Sequence, residues 1–222
     1  MIRSCGQPRV CGLLLVLVAA SCARAGGELT DQVKETTDKI LSIVQDPGLK
    51  DPNKAAERRN KIRKVIDGRF NWELMARGAM GNHWRGLTEA QRKEFAEVFS
   101  RVVEQAYMAK VENYSGEKIL YKGERASGKY GAVDVVITTL SGTDVPVSYR
   151  VISENGKWMV HDLAIEGVSL INNYRTQIGA VLDKSSYADL IKKMRATVAK
   201  NDGAQADPNA PPKRAGKAEQ RP

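Results

Sequence analysis

Between Phe95 and Tyr107 the apolar residues of this chain recur at helical spacing. Between residues 118 and 165 they recur at every second position. The first pattern, Phe95, Val98, Phe99, Val102, Val103, Ala106 and Tyr107, is a broad helical stripe aimed at a core. The second, seen most clearly in Val145, Val147, Tyr149 and Val151, is the alternation of a half-buried strand. After Ser169 the helical spacing returns with Leu170, Ile171, Tyr174, Ile178, Val181 and Leu182. Helices, then strands, then helices predict an α+β domain rather than a bundle, a sandwich or a parallel α/β sheet.

Punctuation residues divide these stretches. A first helix is expected over 30–45, with Thr30 as N-cap, Val33, Ile40, Leu41 and Val44 on one face, and Pro47-Gly48 as its stop. Asp51-Pro52 opens a second with Ile62, Val65 and Ile66 inside. A short third covers 71–81, and Thr88-x-x-Gln91 is a capping box for the fourth. Strands are expected over 118–122, 132–140, 145–151 and 158–165. A turn at Ser141 to Asp144 and an Asn155-Gly156 hairpin signal join them into a four-stranded antiparallel meander. Pro146 predicts that its strand begins at an edge or carries a bulge. Ser186-x-x-Asp189 opens a last helix with Leu190, Ile191, Met194 and Val198, for about six helices in all. The middle strands are apolar on both faces: Val133, Val135 and Ile137 on one, Val136 and Leu140 on the other. Helices cover both faces, or one face lines a cavity.

Residues 1–25 read as a signal peptide: Arg3 and Arg9, an apolar run from Cys11 to Ala20, and a small-x-small site at Ala23-Arg24-Ala25. A lipidated Cys22 after Ala19-Ala20-Ser21 is the rival reading, and the A-x-A site fits better. Cys5, Cys11 and Cys22 are the three cysteines of the chain, so the mature domain has no thiol for a disulfide, a metal or a nucleophile. Residues 26–200 suffice for one domain. Residues 201–222 hold four of the eight prolines and no large apolar side chain, which predicts disorder. The net charge of +9 becomes +6 when Arg3, Arg9 and Arg24 leave with the leader. In an exported protein that surplus points to anionic lipid headgroups or acidic protein patches rather than to nucleic acid, and solvated lysines explain it equally well.

Catalytic signals are few. Gly167-Val168-Ser169 is half of a G-x-S-x-G elbow, but Ile171 stands where the second glycine belongs, and both histidines, His83 and His161, precede the serine. Ser169 reads instead as the N-cap of the helix from Leu170. His161 and Asp162, as strand neighbours, are expected on opposite faces. Two isolated histidines give no metal-ligand spacing, and Gly81 to Gly86 lacks the ending and the preceding strand of a phosphate loop. No cofactor is expected. A cofactor-free isomerase with one buried carboxylate leaves no sequence signature and stays open.

Two blocks carry a resemblance. Phe70, Met75, Ala76, Gly81, Trp84, Thr88, Gln91, Phe95, Phe99 and Tyr107 form the first. Tyr149, Gly156, Trp158, Val160, Asp162, Glu166 to Leu170 and Asn173-Tyr174-Arg175 form the second. In these positions the chain resembles the MlaC, or toluene-tolerance, family of exported lipid-binding proteins over residues 30–198. Met80 stands for a usual Leu, Ile178 for a usual Phe, and the tail is extra. The resemblance implies a periplasmic, non-enzymatic carrier on an α+β fold whose sheet and helices enclose an acyl-chain pocket. It would pass phospholipid between an outer-membrane lipoprotein–porin complex and an inner-membrane ABC transporter with a lipid-binding domain subunit, touching membranes transiently. A hopanoid-associated branch shares the pattern, so another apolar lipid is the alternative ligand. Given such a pocket, the expected lining is Val133, Val135, Ile137, Val147, Tyr149 and Val151 from the sheet, with Phe99, Val103 and Val168 facing them.

Overall fold

A computed structural model describes residues 27–206, with side chains to residue 200. The expected signal peptide and residues 207–222 of the expected disordered tail lie outside the described residues. Six helices and one antiparallel sheet make up the described chain: α1 (Glu28–Gln45), α2 (Ala55–Asp67), α3 (Trp72–Met80), α4 (Glu89–Glu112), β1 (Lys118–Ser127), β2 (Tyr130–Thr138), β3 (Asp144–Glu154), β4 (Lys157–Ile165), β5 (Val168–Ser169), α5 (Leu170–Leu182) and α6 (Tyr187–Ala206). Helix α6 passes the boundary expected at residue 200. None of the described helices is long and apolar enough to cross a membrane.

The local chemistry explains most of these boundaries. Thr88 and Gln91 form both bonds of the capping box. Ser186 and Asp189 do the same for α6, with the Ser186 N–H donating to Asp189 (3.2 Å) and the Asp189 N–H to Ser186 Oγ (3.2 Å). Asn155 and Gly156, both at positive φ (50° and 76°), make the β3–β4 hairpin. The expected start of α1 is corrected. The helix begins at Glu28, and Thr30 lies inside its first turn, where its N–H donates to a carboxylate oxygen of Glu124 on β1 (2.6 Å). A carboxylate distant in sequence does the work of the local cap, and a negative charge there also suits the helix dipole.

The sheet has five strands in the order β1-β2-β3-β4-β5, not four. Glu166 and Gly167, at φ 51° and 80°, fold the chain back so tightly that Val168 and Ser169 pair with Ile165 and Ala164 before α5 begins. Two residues are too few to leave a periodic signal. Pro146 is also placed differently from expectation. Strand β3 is interior, and the bulge in its pairing belongs to β4, opposite Arg150 and Val151. Pro146 is tolerated because β4 ends beside it: its carbonyl accepts from the Glu166 N–H in the turn (2.8 Å), and no partner there needs the missing donor.

Val133, Val135, Val151 and Val160 on one sheet face pack on Leu29 and Val33 of α1. A second cluster joins α3, α4, α5 and α6 through Met75, Phe95, Phe99, Ile171 and Leu190. Phe70 and Leu163 pack against both. The short segment holding Phe70 runs along β4, with the Asn71 N–H donating to the Val160 carbonyl (2.8 Å) and the Val160 N–H to the Arg69 carbonyl (2.8 Å).

Candidate functional site

The joint between β4 and α5 is built on Asp162, which is 5 % exposed. One of its oxygens accepts from Ser169 Oγ (2.7 Å) and from Arg150 Nη1 (2.8 Å); the other accepts from the Ile171 N–H (3.1 Å). The Ser169 oxygen accepts in turn from the Asn172 N–H (3.1 Å), the cap expected of it. Its proton is held by a carboxylate and its lone pair by a helix N–H, so the hydroxyl is positioned as a structural joint rather than as a nucleophile.

His161 and Asp162 do not point to opposite faces. Arg150 pairs with Asp162 and Val151 with Val160, which leaves His161 as the extra residue of a β-bulge. Val160 and Leu163, three residues apart, therefore reach the same apolar cluster, and His161 and Asp162 both reach one cleft on the other side. Burial holds the His161 imidazole below its ordinary pKa, with Arg150 acting in the same sense and Asp162 against it.

That cleft, of about 450 Å³, is walled by α3, the 3₁₀ turn Gly81–Gly86, the sheet and the start of α5. Four arginines line it, one from each wall: Arg77, Arg85, Arg150 and Arg175. Arg175 is fixed by a bond from its Nε to the Gly78 carbonyl (2.7 Å). Two glycines permit the close approach of α3 to α5. A Cβ on Gly78 would lie 2.8 Å from Ile171 Cγ2, and one on Gly81, at φ 55°, would lie 3.2 Å from Arg175 Cδ. Trp84 and Ile171 line the cleft and also belong to the helical core. Sequence reading missed this site because its arginines are scattered across nearly a hundred positions and follow no spacing rule.

Seven of the nine residues expected to line an apolar pocket divide between the two clusters. Phe99 and Val103 lie in the helical core, Phe99 stacked on Phe95 (centroids 5.6 Å) and edge-on to Tyr174 (5.2 Å). Val133, Val135 and Val151 lie in the sheet cluster, with Ile137 and Tyr149 at its margin, and Val147 is buried. Burial, and then the neighbouring Tyr121, push the Tyr149 hydroxyl up to about 12. Val168 departs from expectation: it is 61 % exposed, because strand parity in β5 turns its neighbour Ser169 inward.

Fold and site together define an α+β domain with helices packed on an antiparallel meander, two joined apolar clusters and a basic cleft beside them. The chain belongs to the MlaC protein family, whose model matches residues 34–196. It is 25 % identical over 171 residues to the intermembrane phospholipid transport system binding protein MlaC of Haemophilus influenzae, covering 73 % of this chain and 78 % of that one. It is 26 % identical over 181 residues to toluene tolerance protein ttg2D of Pseudomonas putida, covering 78 % and 82 %. Among solved structures, the phospholipid-binding protein from Ralstonia solanacearum, in complex with a phospholipid, matches with a TM-score of 0.71 at 23 % identity. That match covers 79 % of this chain and 99 % of the other.

Proposed function

We propose that this chain is a periplasmic lipid carrier. It takes the acyl chains of a phospholipid between its sheet and helices. It then shuttles the lipid between an outer-membrane lipoprotein–porin complex and an inner-membrane ABC transporter with a lipid-binding domain subunit, which maintains outer-membrane lipid asymmetry. The observation that carries this reading is the fold shared, over 79 % of this chain and 99 % of the other, with a protein that holds a phospholipid. Family membership supports it, through a relative named for intermembrane phospholipid transport.

The physics suits the role. Each methylene moved from water to an apolar surrounding contributes about 0.8 kcal/mol, so a lipid escapes a bilayer unaided only very slowly. A protein that covers the tails with side chains replaces most of that loss, and transfer between membranes then needs no chemical step. We assign the tail contacts to Phe99 and Val103 from the helices and to Val133, Val135, Ile137, Val147, Tyr149 and Val151 from the sheet. Opening the seam at Phe70 and Leu163, where the two clusters meet, would admit the chains. The role assigned is binding and not catalysis. The buried carboxylate of the cleft, Asp162, is already engaged by a serine, an arginine and a helix N–H, which argues against its use as a free general base.

The test is native mass spectrometry and lipid extraction of the full chain purified from its periplasm, followed by uptake from liposomes. A stoichiometric lipid is expected, and its headgroup distinguishes phospholipid from hopanoid. A protein that carries no lipid and takes up none overturns the reading.

A further inference from the structure

We propose that the four-arginine cleft beside the β4–α5 joint binds the phosphate group of the transported lipid. The inference rests on the carrier reading above and adds a headgroup site to it.

The charge of the cleft carries the argument. The one carboxylate lining it, Asp162, is taken up by Arg150 at 2.8 Å. Arg175 is held at Nε by a neutral carbonyl, which orients its guanidinium without neutralising it. Arg77 and Arg85 are exposed and, among the described residues, make no ion pair. Arg77, Arg85 and Arg175 therefore line a cleft of about 450 Å³ as exposed guanidiniums, and its one carboxylate is paired with Arg150. Clustered cations on the walls of a cleft give it a positive potential that attracts an anion. Arginine forks from several walls match the tetrahedral oxygens of a phosphate through paired N–H donors.

The surroundings favour an amphiphilic source for that phosphate. Trp84 and Ile171 line the cleft and belong to the helical core, so a phosphate among the arginines lies one side chain away from the apolar interior. A phosphodiester whose tails continue past those two residues would fill both environments. A small soluble phosphate ester would use only the arginines.

The experiment compares four forms of the full mature chain. These are the unaltered protein, Arg77→Gln with Arg85→Gln, Arg77→Lys with Arg85→Lys, and Lys122→Gln with Lys157→Gln as a control that removes the same charge from the sheet surface. Each is titrated with fluorescent phosphatidylglycerol, with diacylglycerol bearing the same tails, and with glycerol 3-phosphate, and far-UV dichroism checks the fold. The unaltered chain and the Lys122/Lys157 control should prefer phosphatidylglycerol over diacylglycerol by about tenfold or more. The glutamine pair should lose that preference while keeping diacylglycerol binding. The lysine pair should keep part of it. Arginine-dependent binding of glycerol 3-phosphate without lipid binding would keep the phosphate site, assign it to a soluble ester and reject the carrier reading. Equal binding of the two lipids by the unaltered chain, or a preference that survives the glutamine pair, would overturn the cleft site and leave the carrier reading standing. Binding of none of the three ligands would overturn both.

Discussion

The hydroxyl of Ser169 donates to the buried carboxylate of Asp162 at 2.7 Å while accepting from the Asn172 N–H at 3.1 Å. One serine thus satisfies the first turn of α5 and ties that helix to β4. Ser169→Ala removes both bonds and leaves Asp162 short of a donor inside the protein. The expected cost is about 1–3 kcal/mol in chemical denaturation, with lipid uptake retained. Loss of uptake in a protein of unchanged stability would contradict the structural role.

Gly81 closes α3 at φ 55° and ψ −127°, a conformation open only to glycine at low cost. A Cβ there would also press on the side chain of Arg175. Gly81→Ala should lower stability by about 1–3 kcal/mol and displace Arg175 from the cleft. A melting temperature equal to that of the unaltered protein would refute this.

Glu112, its side chain 9 % exposed, receives Arg58 (2.8 Å) and Arg59 (2.9 Å) and so joins α4 to α2. Truncation leaves two partly covered cations without this partner. Glu112→Ala should cost about 2–3 kcal/mol, discounted from the fully buried case because both arginines reach water. The loss should persist in high salt, unlike that of the exposed Lys34–Asp38 pair.

His161 is held neutral in the fold, its pKa lowered from 6.5 chiefly by burial. As pH falls below 6.5 the unfolded chain takes up this proton before the folded one does, so stability falls with falling pH. Well above 6.5 the imidazole is neutral in both states and contributes no slope. Denaturation midpoints measured from pH 7.5 downward should decline more steeply for the unaltered protein than for His161→Gln. Parallel curves would show that His161 is not the group responsible.

Phe99 is fully buried between Phe95 and Tyr174. Phe99→Ala should cost about 3–5 kcal/mol if the site is as close-packed as an ordinary core. A cost well below that range, with lipid binding weakened, would mark Phe99 as the wall of a deformable pocket.

Much of the fold was legible from local rules. The strand alternation around Val147 and Val151, the capping boxes at Thr88 and Ser186, the Asn155-Gly156 hairpin and the Ser169 cap each depend on a few adjacent residues, and each appears as expected. The failures share a different cause. The true cap of α1 is Glu124, 94 residues away from the N–H it accepts. The bulge that swings His161 to the side of Asp162 is a mismatch between two strands, invisible in either alone.

The sequence by itself determined the order of helices and strands, the helix starts that carry their own caps and the family, because these follow from spacing and from side chains close along the chain. Only the tertiary structure decided that five strands pair rather than four, that Val168 faces outward and that Arg77, Arg85, Arg150 and Arg175 line one cleft. Strand register and the packing of α3 on α5 through Gly78 and Gly81 bring those arginines together, and both are set by contacts between segments that no local pattern records.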